Sequence, residues 1–455
     1  MENEWKAVAI FDISTAINTG LDAIRRAPIV SYSTDTRCLR IQDISQGKSL
    51  KNWGFTETKI IDFEKYRLTR DDIIMARTCS TGICYLVNED LPAVFNNGLA
   101  RIRLDTERAS PQFIYYVFQS ESFKSYIDGI SGGTSVQLNM KIGDMAKYQL
   151  DLPPLPEQKA IAHILGSLDD KIELNRRMNA TLEGMAQALF KSWFVDFDPV
   201  LDNALDAGNP IPEELAERAE LRRQALADGT ANREAAKQFP AAFHLTEEMG
   251  WIPVGWEAGT INDLAELNSE SWSNRSHPEH VKYVDLANTK NGRIKEFFPY
   301  HYSDAPSRAR RVLSEDDTII GTVRPGNRSF AYIHEGGLTG STGFAVLRPK
   351  QKSSRVFIYL CLTQDEVIEN FAHLADGGAY PAIKPEVVGN RQTVIFDSDL
   401  MALFDKQCYP FITKIGQHQK EAETLTKLRN TLLPKLISGE LRIPNAEKLA
   451  EEAIA

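Results

Sequence analysis

Polar loops recur at matching places in the two halves of this chain, and their residue types suit contact with a DNA duplex. The first half carries Arg77-Thr78-Cys79-Ser80-Thr81-Gly82 and Ser131-Gly132-Gly133-Thr134-Ser135-Val136-Gln137-Leu138-Asn139. The second carries Gly321-Thr322-Val323-Arg324-Pro325-Gly326-Asn327-Arg328-Ser329 and Asp376-Gly377-Gly378-Ala379-Tyr380. Arginine matches the two acceptors of guanine, Asn and Gln match adenine, and hydroxyls with glycine amides hold phosphate. On this reading Arg77, Thr78, Ser80, Gly132, Thr134, Gln137, Asn139, Arg324, Asn327, Arg328 and Tyr380 are candidate DNA contacts. Ser307-Arg308-Ala309-Arg310-Arg311 is the densest basic run of the second half and adds Arg308 and Arg310 as candidate phosphate contacts. Ordinary hairpin turns also favour Gly, Ser and Asn, and remain the alternative for the loops.

Chemistry of other kinds is hard to place. Gly47-Lys48-Ser49 lacks the upstream glycine of a phosphate-binding loop. No Gly-rich turn follows a strand in the manner of a dinucleotide or methyl-donor site, and no Asn-Pro-Pro-aromatic segment is present to hold a flipped base. His277-Pro278-Glu279-His280 has metal-like residues, but a proline in the spacer spoils a helix and nothing nearby completes the ligand set. Cys79 and Cys84 likewise lack a second pair. The expectation is a chain with no catalytic residue, no metal and no cofactor of its own. A self-sufficient DNA-modifying enzyme with a hidden site, or a coiled-coil scaffold without DNA contact, are the alternatives.

The elements that must position the loops are written twice. Trp5 and Asp12 match Trp256 and Asp263 at an offset of 251, and Leu68 to Ile74 match Leu313 to Ile319 at 245. Lys171-Ile172, Leu182 and Leu189 match Lys414-Ile415, Leu425 and Leu432 at 243. A period this long is a duplicated domain rather than a solenoid. Strands are expected at Leu39 to Ile44, Ile73 to Ala76 and Leu99 to Leu104, and again at Tyr283 to Leu286, Thr318 to Ile320 and Phe344 to Leu347. Ser110-Pro111 should open a helix to about Ile127, and Ser354 should cap one to about Leu374.

Each module is followed by a long helix. Ile161, Leu168, Asn175, Leu182 and Leu189 are spaced by seven, as are Leu165, Ile172, Asn179 and Ala186. The C-terminal counterpart carries Phe404, Phe411, His418, Leu425 and Leu432. Such seams fit two antiparallel coiled-coil helices of about 58 Å, in which polar Asn175, Asn179 and His418 fix the register. The predicted fold is therefore mixed α/β (α+β), with two similar modules, two long paired helices and a pseudo-two-fold duplication. Expected boundaries are 1–152 and 246–400 for the modules, 153–195 and 401–443 for the helices, 196–245 for an acidic Ala-rich linker, and 444–455 for a tail.

The chain carries 52 Lys/Arg against 62 Asp/Glu, a net charge of −10. Residues 1–150 are neutral; the acidity collects in the middle segment and the second module. Affinity for DNA scales with phosphates neutralised, so a partner is expected to share the grip. No run approaches a membrane span, no basic signal start is present, and the five cysteines are scattered, which together fit a cytoplasmic protein.

Leu152-Pro153-Pro154-Leu155-Pro156-Glu157-Gln158, leading into a helix that ends Phe190-Lys191-Ser192-Trp193-Phe194-Val195-Asp196-Phe197-Asp198-Pro199, closely resembles specificity subunits of type I restriction–modification systems. Leu432-Leu433-Pro434-Lys435-Leu436-Ile437-Ser438-Gly439-Glu440-Leu441 is similar to the end of their second central helix, and Gly250 to Trp256 to the start of their second target-recognition domain. The resemblance implies that each recognition domain reads one half of a split DNA site and that the helices set the distance between halves. It also implies partners: two copies of a DNA adenine methyltransferase subunit using S-adenosylmethionine, and a motor/endonuclease subunit using ATP and Mg. This chain would supply the address and the frame.

Overall fold

The structure, a computed structural model, describes residues 5–131, 139–376, 378 and 380–454. It divides into two compact units: residues through Leu174 together with Glu421 onward, and Asn175–Lys420. Among the described residues no helix is long and apolar enough to cross a membrane.

In unit one, Lys6–Ala9 pairs antiparallel with Gln149–Leu152, closing the module on itself. A four-stranded antiparallel sheet follows in the order Ser14–Thr19, Leu99–Leu104, Ile73–Ala76, Cys84–Leu86. A second sheet runs Ile29–Val30, Gly54–Thr56, Arg37–Leu39, Ala93–Phe95, with its last pair parallel. Unit two repeats the plan. Glu257–Thr260 pairs with Gln392–Ile395, and an antiparallel sheet runs Ala265–Leu267, Phe344–Pro349, Thr318–Gly321, Phe330–Tyr332. Its second sheet runs Phe298–His301, His280–Val284, Leu338–Ser341, Ala309–Leu313. Three strands keep order and direction in both copies; the fourth comes from a different segment, Ile29–Val30 beside Gly54–Thr56 in the first and Ala309–Leu313 beside Leu338–Ser341 in the second.

The duplication extends to polar detail. The amide of Ala9 donates to Asp12 Oδ2 at 3.0 Å, and that of Thr260 to Asp263 Oδ2 at 2.7 Å. Asp72 and Asp317 are fully buried. Arg103 Nε reaches Asp72 at 2.8 Å and Arg348 Nε reaches Asp317 at 3.0 Å. Each arginine also donates to a neighbouring hydroxyl, Thr69 at 2.8 Å and Ser314 at 2.9 Å. These clasps anchor the turn that feeds the central strand of each module, where Asp71 and Asp316 take left-handed backbone at φ 72° and 73°. Burial holds the Asp317 carboxyl above the usual carboxylate range.

Several sequence expectations need correction. The helix expected from Ser110 to Ile127 is two, Pro111–Val117 and Glu121–Ile130, because Ser120 supplies a second cap: its hydroxyl accepts from Phe123 N at 3.2 Å. Its counterpart splits into Arg355–Leu362 and Asp365–Leu374, and Ser354 caps neither, since its hydroxyl donates to Gln351 O at 2.8 Å. The run Leu39 to Ile44 leaves its strand at Leu39 and turns into the helix Ile41–Ser45, where Asp43 accepts from Arg40 N at 3.1 Å. The segment read as a linker is folded. Asp198–Ala207 packs against Ala216–Ala227 through Arg218–Asp198 and Arg222–Asp202 pairs, both with contacts of 2.6 Å. Phe239 beyond it joins the core of unit two.

The long helices are Leu155–Phe194 and Ser398–Ile437, 40 residues each. Pro156 sits in the first helical turn, where a missing amide hydrogen costs nothing. Gln158, fully buried, ties that turn to its module by accepting from Ser110 N at 2.8 Å and donating to Pro153 O at 2.8 Å. Within unit one the helices run antiparallel, with Lys171 3.2 Å from Glu421 and Arg429 paired to Asp169. Leu165, Leu168, Leu425 and Leu432 are buried in the same core. Within unit two, Asn179 and His418 meet across the seam at 2.8 Å, Asn179 also donates to Ile415 O at 3.3 Å, and Asn175 is buried. The segment expected as a C-terminal tail forms the helix Ile443–Ile454, which buries Ala446 and Ala450 in the core of unit one.

One contact of unit two makes a pH prediction. His334 lies against Gly416 of the second long helix, where an added Cβ would stand 2.4 Å from its Nδ1. Burial pushes this imidazole down to about 4, against nearby Asp316 and Glu335, which act the other way. An unfolded histidine titrates near ~6.5. Between those two values the unfolded chain binds a proton that the folded one refuses, so this contribution is fully present above about pH 6.5 and lost as pH falls toward 4. We expect His334→Gln to flatten this part of the profile. Urea midpoints at pH 7 and pH 5 check it, and an equal loss in both proteins would refute it.

Candidate nucleic-acid interface

The strands Ile73–Ala76 and Thr318–Gly321, one in each module, end in the same clasp of two loops. In the first module Arg77 N donates to Gly98 O at 3.0 Å, and Met140 N donates to Arg77 O at 2.8 Å. In the second, Thr322 N donates to Gly343 O at 2.8 Å, and Ile383 N to Thr322 O at 2.9 Å. One residue further, Thr78 bridges to Asn139 and Val323 to Ala382. The next residue is left-handed in both copies, Cys79 at φ 62° and Arg324 at φ 49°. Two sequence-distant loops are thus locked side by side, with an exposed apex at the same position of each module.

The side chains of the candidate residues fare differently. Arg77 is half-buried, and its guanidinium donates to Asn97 O at 3.2 Å, Asn139 Oδ1 at 3.2 Å and Met140 O at 3.5 Å, so it straps the clasp together. Thr78 and Ser80 are half-buried beside it, and Asn139 is exposed. Gly132, Thr134 and Gln137 lie outside the described residues. In the second module Arg324 is exposed, with its guanidinium 4.7 Å from the ring centre of Tyr380, itself 72% exposed. Asn327 is exposed at the end of the short turn Pro325–Asn327. Arg328, also left-handed at φ 60°, is held by Asn291 Oδ1 at 2.9 Å and Asp365 at 2.7 Å.

The basic run sits apart on the second sheet and is backed by aromatic rings that sequence reasoning did not link to it. Arg308 Nε donates to the Tyr283 hydroxyl at 2.9 Å. Arg310 donates to the Tyr302 hydroxyl and lies 4.9 Å from that ring, which His277 stacks against at 3.8 Å. The structure therefore builds the His277-Pro278-Glu279-His280 turn onto Tyr302. Among the described residues no group of three His, Cys, Asp or Glu could hold a metal ion. Other residues that the sequence reading missed are the Arg103 and Arg348 clasps, although these arginines stand at the same offset of 245 as the aspartates they grip.

The chain thus repeats one mixed α/β module and follows each copy with a long helix. A family model described as the type I restriction modification DNA specificity domain matches residues 4–184. The HindI specificity subunit of Haemophilus influenzae is 25% identical over 96% of this chain and 100% of its own length. A putative MjaX specificity subunit of Methanocaldococcus jannaschii is 27% identical, covering 97% and 94%. Among solved structures, the type I system S subunit from M. genitalium covers 96% of both chains at 17% identity and a TM-score of 0.54, which supports the fold. Over nearly its whole length the chain is thus similar to specificity subunits of type I restriction–modification systems.

Proposed function

We propose that this chain is the DNA-recognition subunit of a type I restriction–modification complex, in which each module reads one half of a split site. The observation that carries this reading is the loop clasp, built twice with the same backbone hydrogen bonds but different side chains at its apex. A conserved frame with exchangeable contact residues is what two readers of different half-sites require. The long helices would set the distance between half-sites and dock two copies of an adenine methyltransferase subunit, with the motor/endonuclease subunit joining that assembly. S-adenosylmethionine, ATP and Mg would belong to those partners, and this chain would contribute no catalytic group. Arg308 and Arg310, oriented by Tyr283 and Tyr302, would hold phosphates next to the second half-site.

Exchange of residues 1–152 for those of a relative tests the reading. With the partner subunits present, the methylated motif should change in one half and keep the other half and its spacing. A change in both halves, or in neither, would refute modular recognition.

A further inference from the structure

We propose that the first long helix carries a socket for a tyrosine side chain of the methyltransferase subunit, at the place that its counterpart in unit two fills with a tyrosine of its own. The inference rests on the reading of this chain as a frame for two such subunits and adds how one of them is keyed. The long helices correspond at an offset of 243, which sets Ala162 against Asp405 and Gly166 against Tyr409. In unit two the guanidinium of Arg355 reaches Asp405 at 3.0 and 3.1 Å and Asp316 at 3.1 Å. It also lies 3.2 Å from the centre of the Tyr409 ring. A guanidinium, two carboxylates and an aromatic ring thus close the space between that long helix and the start of the helix Arg355–Leu362.

At the equivalent places unit one carries smaller residues. Pro111 follows Ser110 where Arg355 follows Ser354, an offset of 244 that also aligns the buried Phe113 with Phe357. Asp71, the counterpart of Asp316, is met instead by the neutral amide of Gln112 at 3.3 Å. With an alanine and a glycine on the helix, a cavity of about 320 Å³ opens there, and Ser110, Gln112, Ala162, His163, Gly166 and Ser167 are among its walls. A Cβ added at Gly166 would meet only the Tyr116 hydroxyl, at 3.7 Å, so the floor has room for a ring. His163 is exposed, so the cavity is open to solvent. Packed protein leaves few voids of this size, and unit two shows which chemistry closes this one. Tyrosine suits it because the ring is apolar and the hydroxyl polar. Ala162 and Gly166 offer the ring an apolar floor, and Ser110, His163 and Ser167 offer the hydroxyl polar partners. The helix that bears the socket is the one read as docking the methyltransferase subunits, so the tyrosine comes from that subunit. Two identical copies then meet unequal places, one open and the other already holding Tyr409.

The test titrates the full chain with the methyltransferase subunit of its own system and reads stoichiometry and both dissociation constants by native mass spectrometry. The wild-type chain should take two copies. Gly166→Tyr, which fills the cavity from within, should weaken one of the two binding steps by about 30-fold or more, the scale of a tyrosine anchored in an interface pocket, and spare the other. A folded Gly166→Tyr chain that takes both copies at wild-type affinity, or that loses both steps alike, would overturn the proposal. A second readout needs no variant. His163 should react with diethyl pyrocarbonate in the free chain and be protected in the saturated complex. A His163 modified equally in both would also overturn the proposal, and this readout decides should Gly166→Tyr fail to fold. A wild-type chain that binds no methyltransferase subunit would instead overturn the function on which the socket rests.

Discussion

Phe404→Ala is expected to destabilise unit two by about 3–5 kcal/mol, the range for truncating a buried phenylalanine. Phe404 is fully buried. Its ring centre lies 4.8 Å from Phe194, 5.6 Å from Trp193, 6.2 Å from Phe190 and 6.5 Å from Phe357. Phe194 in turn stacks on Phe396 at 4.9 Å and meets Trp256 at 5.9 Å. The cluster joins both long helices, the start of the second module and the helix Arg355–Leu362 beneath its sheet. An alanine would leave a void walled by rigid rings, which cannot collapse to fill it. Urea unfolding of the full chain, followed by tryptophan fluorescence, reads the effect through Trp193 and Trp256. A midpoint unmoved by the substitution would contradict the packing described. Phe404→Leu should recover most of the loss because it restores much of the volume.

The second large effect is electrostatic. Asp317→Ala is expected to cost about 3 kcal/mol, the low end of the range for stranding one partner of a buried ion pair. The low end applies because the Arg348 side chain is 22% exposed and keeps Glu270 as a second partner at 3.1 Å. The carboxylate also accepts from Ser314 N at 2.8 Å, so the turn before the central strand loses a bond as well. If the cost is the stranded charge, Asp317→Leu combined with Arg348→Met should be much milder than Asp317→Ala. Calorimetry on the three proteins decides this, and a double variant as damaged as the single one would assign the loss to packing. Loosening this turn also loosens the strand Thr318–Gly321, which delivers Arg324 to its clasp.

The frame was legible in the sequence because its signals are local and periodic. Heptad spacing from Ile161 to Leu189 announced a helix observed as Leu155–Phe194, and β-branched runs placed Ile73–Ala76 and Thr318–Gly321. Helix interruptions were missed where a second cap competes with continuation, as at Ser120. The packing of the middle segment was missed because Arg218–Asp198 and Arg222–Asp202 join residues 20 apart in the chain, beyond any periodicity. For the candidate site, composition located the loops but not the fate of their side chains. Arg77 and Arg324 read alike in sequence; only the fold shows Arg77 half-buried and donating to Asn97, Asn139 and Met140, and Arg324 exposed with its guanidinium 4.7 Å from the Tyr380 ring centre.

The partition of the chain also sets an order of assembly. Unit two is one uninterrupted stretch, Asn175–Lys420, whereas unit one needs the residues from Glu421 onward, including the helix Ile443–Ile454 that buries Ala446 and Ala450. Domains form during synthesis as their residues emerge from the ribosome. The module made first must therefore wait, with the leucines of its own long helix uncovered, until the last segment arrives to complete its core, while the module made second already has every residue it needs.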